Sequence, residues 1–405
     1  MQKRWIKRLS RKSMIVSETQ ASDDNPEAAA NRITGIRESM AVLPDRIQWL
    51  LTELTGKALK DQHPPFRWNA AMRFAATMIM LILGITISLM ALHAGGIAWI
   101  PLPIGWLLTT SAMRSFQVVF LHHASHDRFA NWLAEVLSIS IWIQSLNQYR
   151  AQHRKHHAKT ATSEDKDLAL VVSLGLLPGL TRREYWSRLF STLLSPQFHG
   201  HFAMHRLRSN FTSDWTRTIA ATIWTLVLGL WANSQGYFLE LAIVWLIPAW
   251  PLFQIAAYLS LITEHTWVRH EGPGISPRET ISRLTSARFF GERAPAKDAS
   301  RIAWATWTLR MFMIHLPAKL LVVQGDQHSH DWHHRHPKGD WENAAYARSQ
   351  SQPEDSSRGW PAYTEVWGLK SALNSTFDAL AALPKNSILG NPDSYNANKT
   401  DWGAM

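Results

Sequence analysis

Four long segments that carry almost no charge dominate the sequence. Phe74–Leu92 and Thr218–Gln235 are charge-free, as is Leu241–Thr263, and Ile97–Leu121 contains Arg114 as its single charge. A helix needs about 20 apolar residues to cross the hydrocarbon core of a bilayer. The alternative is a set of buried core helices in a soluble protein, but four such lengths with nearly uncharged connectors are hard to bury in this chain. The pattern predicts an all-α integral membrane protein with four transmembrane helices in two hairpins.

The distribution of Lys and Arg predicts the orientation of these helices. The connector within the first hairpin, residues 93–96, has no charge, and that within the second, residues 236–240, has only Glu240. Basic residues are concentrated on the other side, from Lys3 to Lys12 and again from Arg269 to Arg310. Because basic residues stay cytoplasmic, both termini and a helical cap are predicted to lie in the cytoplasm. A net charge of +11 placed in this way fits a membrane surface, not a nucleic acid.

The chain divides into three predicted regions. They are a basic, partly flexible cytoplasmic region at 1–66, a membrane domain at 67–340 and a polar C-terminal tail at 341–405. Residues 17–35 and 346–360 have the composition of flexible linkers. The apolar stretch Ile302–Val323 is interrupted by charges and Pro317, and it predicts an amphipathic helix on the membrane interface in preference to a fifth span.

Histidines occur in four groups, all on the side predicted to be cytoplasmic. They are His122 and His126 in HHASHD after the second span, His153, His156 and His157 in YRAQHRKHH, His265 after the fourth span, and His330, His333 and His334 in HDWHH. Residues three and four positions apart lie on the same face of a helix. Each group can therefore present its rings in one direction.

Imidazole is a good ligand for iron, zinc or copper, and one such ion takes about four to six donors. Nine rings are too many for one ion and suit two. The chain has no cysteine, which excludes disulfides, thiolate-bound zinc and iron–sulfur clusters. Nearby side chains can hold the far ring nitrogens or complete a ligand set. These candidates are Asp127, Asp165, Asp167, Glu264, His328 and Asp331. His123 lies between two ligand candidates on a helix and is expected to face away from them.

These motifs resemble a known family. HASHD, YRAQHRKHH followed by D-x-D, and HDWHH are similar to the three histidine boxes of membrane fatty acid desaturases. The EH at Glu264 and His265 resembles the additional motif of the related membrane alkane hydroxylases. Two positions depart from the acyl-CoA desaturase pattern: Leu261 and His328 stand where that branch has asparagine.

The resemblance implies a non-haem diiron oxidoreductase that uses O2 and two electrons to attack an unactivated C–H bond. It carries the nine ligand roles over to His122, His126, His153, His156, His157, His265, His330, His333 and His334. The implied substrate is a fatty acyl chain, a lipid or another apolar group. The chain contains no pattern of a fused electron carrier, so a separate ferredoxin, rubredoxin or cytochrome b5-type donor is expected to bind the basic cytoplasmic face.

Several alternatives stay open at this level. Desaturation and hydroxylation use the same irons, and the boxes with D-x-D favour the first while EH favours the second. A membrane metal transporter would place its ligands and acids inside the spans, and a zinc hydrolase would need fewer histidines. Arg114, about two turns before His122, either extends toward the headgroups or has a structural or substrate-orienting role.

Overall fold

The computed structural model describes residues 35–212, 214–385 and 387. The predicted basic start, nearly all of the linker at 17–35 and residues 388–405 lie outside the described residues. The described chain is mostly helical, as predicted. It contains one small sheet, in which β1 (Ala287–Phe289) pairs in parallel with β2 (Glu365–Trp367), and Arg288 lies opposite Val366.

Two helices among the described residues are long and apolar enough to cross a bilayer: Ala70–Ala94 and Phe238–Glu264. They contain the predicted first and fourth spans. The share of residues buried in the most apolar part of each is only 22% and 28%. Ile82 and Met90, for example, are 62% and 68% exposed. Apolar side chains turned outward in this way need a lipid surface or a partner to cover them, which supports membrane association.

The other two predicted spans are helical as well. Leu102–Ser115 continues through a π-helical stretch, Phe116–Leu121, into the short helix His122–Ser125. Trp215–Gln235 begins at Asp214, whose side chain accepts a hydrogen bond from the backbone N–H of Arg217, and it exposes several apolar side chains along its length. The arrangement of four spans in two hairpins remains a prediction.

The two helices of the first hairpin pack closely because a glycine lies at their crossing. A Cβ atom at Gly84 would lie 2.5 Å from Thr109 Oγ1 and 2.6 Å from the Thr109 backbone nitrogen. Small residues at helix crossings allow this approach where apolar burial gives little driving force. The second helix of this hairpin leads directly to His122, so the crossing helps to fix the first histidine group.

The remaining helices surround these elements. They cover Ile36–Ser39, Asp45–Thr55, Asn131–Ser140, Leu146–Lys159, Lys166–Ser173, Arg182–Leu193, Pro196–Phe211, Pro277–Leu284, Arg301–Arg310, Leu316–Leu321, His330–Arg335, Ala344–Ser357 and Leu369–Ala381. Within Phe238–Glu264 the helix comprises Phe238–Glu240, the π-helical turns Leu241–Leu246 and Pro248–Leu252, and Phe253–Glu264. A further π-helical turn, Met311–His315, joins two of the helices above, and 3-10 turns occur at Met40–Val42, Gly96–Trp99, Gly325–Ser329 and Trp341–Asn343.

The predicted linker at residues 346–360 is wrong. Most of it belongs to the helix Ala344–Ser357, which Tyr346, Arg348 and Asp355 anchor through buried side chains. Further along, the helix Leu369–Ala381 contributes Leu373 and Phe377 to the main hydrophobic core. Polar composition indicated flexibility here because the partners of these polar residues are distant in sequence. The boundaries of the three predicted regions remain a prediction.

The stretch Arg301–Leu321 is helical, as its composition predicts, and not a loop. Trp307 and Met311 pack against Met40 and Leu51 of the N-terminal helices. Ile302, on the other hand, is 78% exposed. One face is therefore buried and the other apolar and uncovered, as expected for a helix on a membrane interface. Its depth in the bilayer remains a prediction.

Candidate metal centre

The histidine groups lie on four segments that meet at one end of the long helices. The helix Leu146–Lys159 begins with a capping box, in which Ser145 and Gln148 satisfy each other's backbone N–H groups. This cap fixes the first turn of a polar helix that has little apolar surface to hold it in place. His122 follows the π-helical stretch, and such insertions are common at functional sites.

One set of four rings converges on a point between three of these segments. The ligand-capable nitrogens of His122, His126, His153 and His333 all lie within 4.8 Å of one another, and we call this set cluster A. The Nε2 atoms of His126 and His153 are 2.9 Å apart. Imidazole nitrogens so close together are typical of a set that surrounds a cation.

A second set of four rings lies beside the first. The nitrogens of His156, His265, His330 and His334 also lie within 4.8 Å of one another, and we call this set cluster B. The Nε2 atoms of His156 and His265 are 2.9 Å apart, and those of His330 and His334 are 3.0 Å apart. The single histidine after the fourth predicted span is thus a member of cluster B.

His157 lies between the clusters. Its Nε2 atom is 3.0 Å from that of His153 and 3.3 Å from that of His333, both in cluster A. Its ring centroid is 4.4 Å from that of His334 in cluster B. The structure therefore brings all nine predicted ligands together, in two groups of four with one ring between them. That they bind metal remains a prediction at this point.

The chemistry of this donor set fits metal ions. Both ring nitrogens of His122 are buried without a hydrogen-bond partner, and so is Nδ1 of His265. Buried polar atoms without partners are costly, and a cation would satisfy them. Burial lowers the pKa of most of these rings well below the usual value, which keeps them neutral and able to coordinate. These rings are His122, His153, His157, His265, His330 and His334.

Two predicted carboxylates hold the outer nitrogen of one ring. Asp165 and Asp167 each have an oxygen near His156 Nδ1, at 3.1 and 3.2 Å. Burial works against the charged ring, but Asp165 and then Asp167 outweigh it and raise the pKa of His156 to about 10. Carboxylates in this position orient a ring so that its Nε2 faces the metal. The D-x-D spacing after the second box therefore has a structural reason.

Glu264 lies at the edge of cluster B. Its Oε1 is 3.2 Å from His330 Nε2, and its side chain is 17% exposed. Glu264 is the last residue of the helix Phe253–Glu264, and its carboxylate contacts the ring of His330, which belongs to a segment distant in sequence. The structure thus places three of the six predicted supporting residues at the clusters.

The other three lie elsewhere. Asp127 is 72% exposed at its side chain and pairs with Arg150 at 3.0 Å. Asp331 forms a buried pair with Arg348, at 2.8 Å. His328 Nδ1 lies 3.0 Å from Lys319 Nζ. None of these side chains belongs to a metal-capable group among the described residues.

Sequence reasoning missed the carboxylate of Asp326, which is fully buried beneath cluster A. Its oxygens lie 3.2 Å from His333 Nδ1, 3.4 Å from His123 Nε2 and 3.8 Å from His122 Nδ1. Burial alone would raise the pKa of Asp326, but the hydrogen bond with His123 and the close ring of His333 hold it well below its usual range. Its position four residues before His330 was the available signal.

His123 makes contacts that its position on the helix did not predict. It does not join cluster A, but it is buried between Asp326 and Glu342, whose Oε1 lies 3.6 Å from His123 Nδ1. Although burial opposes it, hydrogen bonding to Asp326 and Glu342 raises the pKa of His123 to about 9. Trp341 covers this side and stacks on the ring of His122 at 5.4 Å.

A small polar pocket of 80 Å³ opens beside the clusters. Its lining includes His153, His156 and Glu264 together with Arg114 and Gln117. Arg114 is 2% exposed, so it does not extend to a headgroup region. A second cavity of 720 Å³ is mostly apolar and lies between Ala70–Ala94, Asp45–Thr55 and the helical stretch Arg301–Leu321, with Lys319 and His328 in its wall.

Comparison with protein families gives one match. The sequence matches the fatty acid desaturase family over residues 97–316, just over half of the chain. The chain belongs to the fatty acid desaturase family. The matched region contains clusters A and B except for His330, His333 and His334, which the structure adds to them. Comparison with curated proteins gave no match, and neither did comparison with solved structures.

Membership places the chain among oxidoreductases of the desaturase and hydroxylase type, which depend on metals, associate with membranes and act on lipids. The two exposed apolar helices and the histidine clusters agree with this class. In this desaturase family member, the histidine motifs of the sequence and the arrangement of the histidines in the structure thus indicate the same class of enzyme.

Proposed function

We propose that this protein is a membrane-bound non-haem diiron enzyme that desaturates a fatty acyl or lipid chain with O2 and two electrons. The observation that carries the proposal is the grouping of nine histidines into clusters A and B with His157 between them. Each cluster supplies four convergent imidazoles, which suits one iron each. The family match supports the reaction class.

The chemistry requires a metal because side-chain acids and bases do not break an aliphatic C–H bond. Two irons held in clusters A and B would activate O2, which is the oxidant. In the overall reaction, –CH2–CH2– with O2, two electrons and two protons becomes –CH=CH– and two waters. The electrons come from a separate protein of the ferredoxin, rubredoxin or cytochrome b5 type.

The chain's own residues position the reactants. Tyr149 stacks on His153, with ring centroids 5.5 Å apart, and lines the polar pocket. Burial raises the pKa of Tyr149 well above its ordinary value, so it stays a neutral hydroxyl that can donate a hydrogen bond. Glu264, on the same pocket, places a carboxyl group 3.2 Å from His330 Nε2, beside the reacting centre. Trp341 closes cluster A on the opposite side and excludes water.

Hydroxylation is the second candidate. His265, from the EH sequence that resembles the alkane hydroxylases, is a full member of cluster B and lies 2.9 Å from His156. The same donor set would then convert C–H, O2, two electrons and two protons to C–OH and one water. The outcome depends on where the second hydrogen lies relative to the oxidant.

The proposed topology has four spans, with both termini and the metal centre in the cytoplasm. The asymmetric distribution of Lys and Arg supports it. A basic cytoplasmic face would attract an acidic electron carrier at low ionic strength. Activity that does not change with salt concentration would argue against this donor site.

Mass spectrometry of lipid extracts tests the reaction. Cells carrying the wild-type chain are compared with cells carrying His330→Ala and with an exposed-histidine control, His270→Ala. A product lacking two hydrogens in the wild type and the control alone indicates desaturation, and a product gaining one oxygen indicates hydroxylation. The iron content of the purified proteins is measured alongside the lipid extracts. A folded wild-type chain that binds no iron would refute the proposal.

A further inference from the structure

The polar pocket beside the clusters contains a buried cation without a salt bridge. Arg114 is 2% exposed, and its Nε atom has no hydrogen-bond partner. Its Nη1 donates to Gln117 Oε1 at 2.6 Å. Within the described part of the chain, no carboxylate oxygen lies within 4.0 Å of its guanidinium, and Glu264 of the same pocket acts on it from beyond that distance. Because arginine stays charged in proteins, a positive charge with a free donor lines this pocket.

A second buried arginine strengthens the positive field. Arg206 is 1% exposed, and its Nε is also without a partner. The guanidinium carbons of Arg114 and Arg206 lie 5.0 and 4.4 Å from the ring centroid of Phe253. Two like charges on one aromatic ring repel each other, and removal from water makes this worse. The arrangement is more favourable when an anion occupies the pocket.

The two acids of the pocket are engaged by histidines. Asp167 and Glu264 are each within 3.2 Å of a cluster histidine, His156 and His330 respectively. Arg114, Gln117 and Gln144 line the same pocket, and the Oε1 atom of Gln144 is buried without a partner. An amide can turn to present its NH2 group in place of its oxygen. A ligand anion can therefore be held at Arg114, with Gln144 as a further donor.

We propose that this pocket binds the carboxylate of the substrate through Arg114, so that the enzyme oxidises a free fatty acid on the half of the chain nearer its carboxylate. Arginine forms two parallel hydrogen bonds with a carboxylate, and its free Nε is suited to this. At 80 Å³ the pocket is small, which favours a compact carboxylate over a bulky phosphodiester headgroup. Val118, Ala257 and Leu261 form its apolar wall, along which the rest of the chain leaves.

This inference rests on the proposed function for the reacting carbon, but its binding part can be tested separately. The purified full-length protein is titrated with dodecanoate, methyl dodecanoate and dodecane, which differ in the headgroup alone. Binding is followed directly and through the rise in melting temperature. Dodecanoate should bind at least about tenfold more tightly than its ester, because charge-assisted hydrogen bonds are lost in the ester.

Three variants separate charge from folding. Arg114→Met should abolish the preference for dodecanoate, and Arg114→Lys should retain part of it. Arg206→Met is the comparison variant: it removes a buried guanidinium from the same Phe253 ring, but Arg206 lies outside the pocket lining, so the preference should weaken without being abolished. If Arg114→Met does not fold, the comparison of the three ligands on the wild-type protein still decides.

Equal affinity of the wild type for dodecanoate and its ester would overturn the inference, as would oxidation confined to the methyl half of the chain. Iron content and O2 consumption are measured on the same samples. A protein that binds two irons and oxidises other lipids, but shows no carboxylate preference, would refute this inference and leave the proposed function in place. A clear carboxylate preference in a protein that binds no iron would support this inference and refute the proposed function.

Discussion

Replacing Asp326 by asparagine should weaken metal binding in cluster A. The carboxylate lies 3.2 Å from Nδ1 of His333, a proposed ligand, and also contacts His123 at 3.4 Å. Asparagine keeps the shape but removes the charge that orients the ring and increases its basicity. Loss of such a partner typically reduces metal affinity by about 10- to 100-fold, equivalent to about 1.4–2.7 kcal/mol. Only cluster A should be affected, because no ring of cluster B contacts this acid.

The assay is a metal titration of purified protein in detergent against a competing chelator, with bound iron counted per chain. Asp331→Asn is the matched control, since Asp331 is as deeply buried but pairs with Arg348 at 2.8 and 3.0 Å, away from the clusters. It should lose about 1–3 kcal/mol of stability, because Arg348 keeps Glu365 at 3.4 Å and the Thr364 carbonyl but loses its closest ionic partner, while the folded fraction keeps both irons. Wild-type iron affinity at both sites in Asp326→Asn would show that Asp326 does not support a ligand.

Three further changes test other parts of the site. His333→Ala and His334→Ala should each reduce bound iron from two to one per chain. The lost iron should belong to cluster A in the first variant and to cluster B in the second, although the two residues are neighbours in sequence. Spectra of the cobalt-substituted proteins would show which site is empty. Burial lowers the pKa of Lys319 to about 7. Below that pH the folded state holds a buried charged Lys319, which lowers its stability relative to the unfolded state. This loss of stability disappears as the pH rises toward 10.5, the pKa of Lys319 in the unfolded chain. Wild type should therefore gain about 1–3 kcal/mol relative to Lys319→Met between pH 7 and 9, measured by thermal unfolding, and a constant difference would contradict this. Asp127→Asn should leave iron content unchanged and alter stability by no more than about 0.5–1 kcal/mol, because the Asp127 side chain is 72% exposed and asparagine also tolerates its φ of 60°.

The grouping of the histidines was predictable from helix spacing and charge bias. His153, His156 and His157 lie on one face by their spacing, and the charge bias predicts all four groups on the same side of the membrane. Their division between clusters was not predictable. Adjacent helical residues point about 100° apart, so His156 and His157, like His333 and His334, serve different positions once the helix lies between two sites. That placement is a tertiary property.

Asp326 and Arg114 show what the sequence left undetermined. Asp326 belongs to a short 3-10 turn, Gly325–Ser329, so no helical period relates it to the histidines that it contacts. For Arg114 the sequence allowed two roles, extension toward the headgroups or a structural or substrate-orienting role. Its depth in the predicted span does not reveal which residues pack around its side chain. Its burial against Phe253, from a helix distant in sequence, decides the question. In both cases the deciding contact is between segments far apart along the chain.

The wall between the two cavities limits how a substrate reaches the clusters. None of the nine histidines lines the 720 Å³ cavity, whereas His153 and His156 line the polar pocket. Val119 and Gly325 form part of the wall of the large cavity, and a Cβ atom at Gly325 would lie 2.8 Å from Val119 Cγ2. The two segments are thus in contact, so the reacting carbon is expected to arrive through the polar pocket.

Gly325→Ala tests this closed wall. Gly325 has φ +53°, where an L side chain is strained, and the added methyl group also meets Val119. We expect a loss of about 1–3 kcal/mol in thermal unfolding, and a shift of the neighbouring Asp326 that lowers iron affinity in cluster A. Adding Val119→Ala should restore the part due to the steric clash, since it removes the facing methyl group, but not the part due to backbone strain. If Gly325→Ala costs nothing and the second change has no effect on it, the segments are not in close contact and a path from the large cavity to the clusters is open.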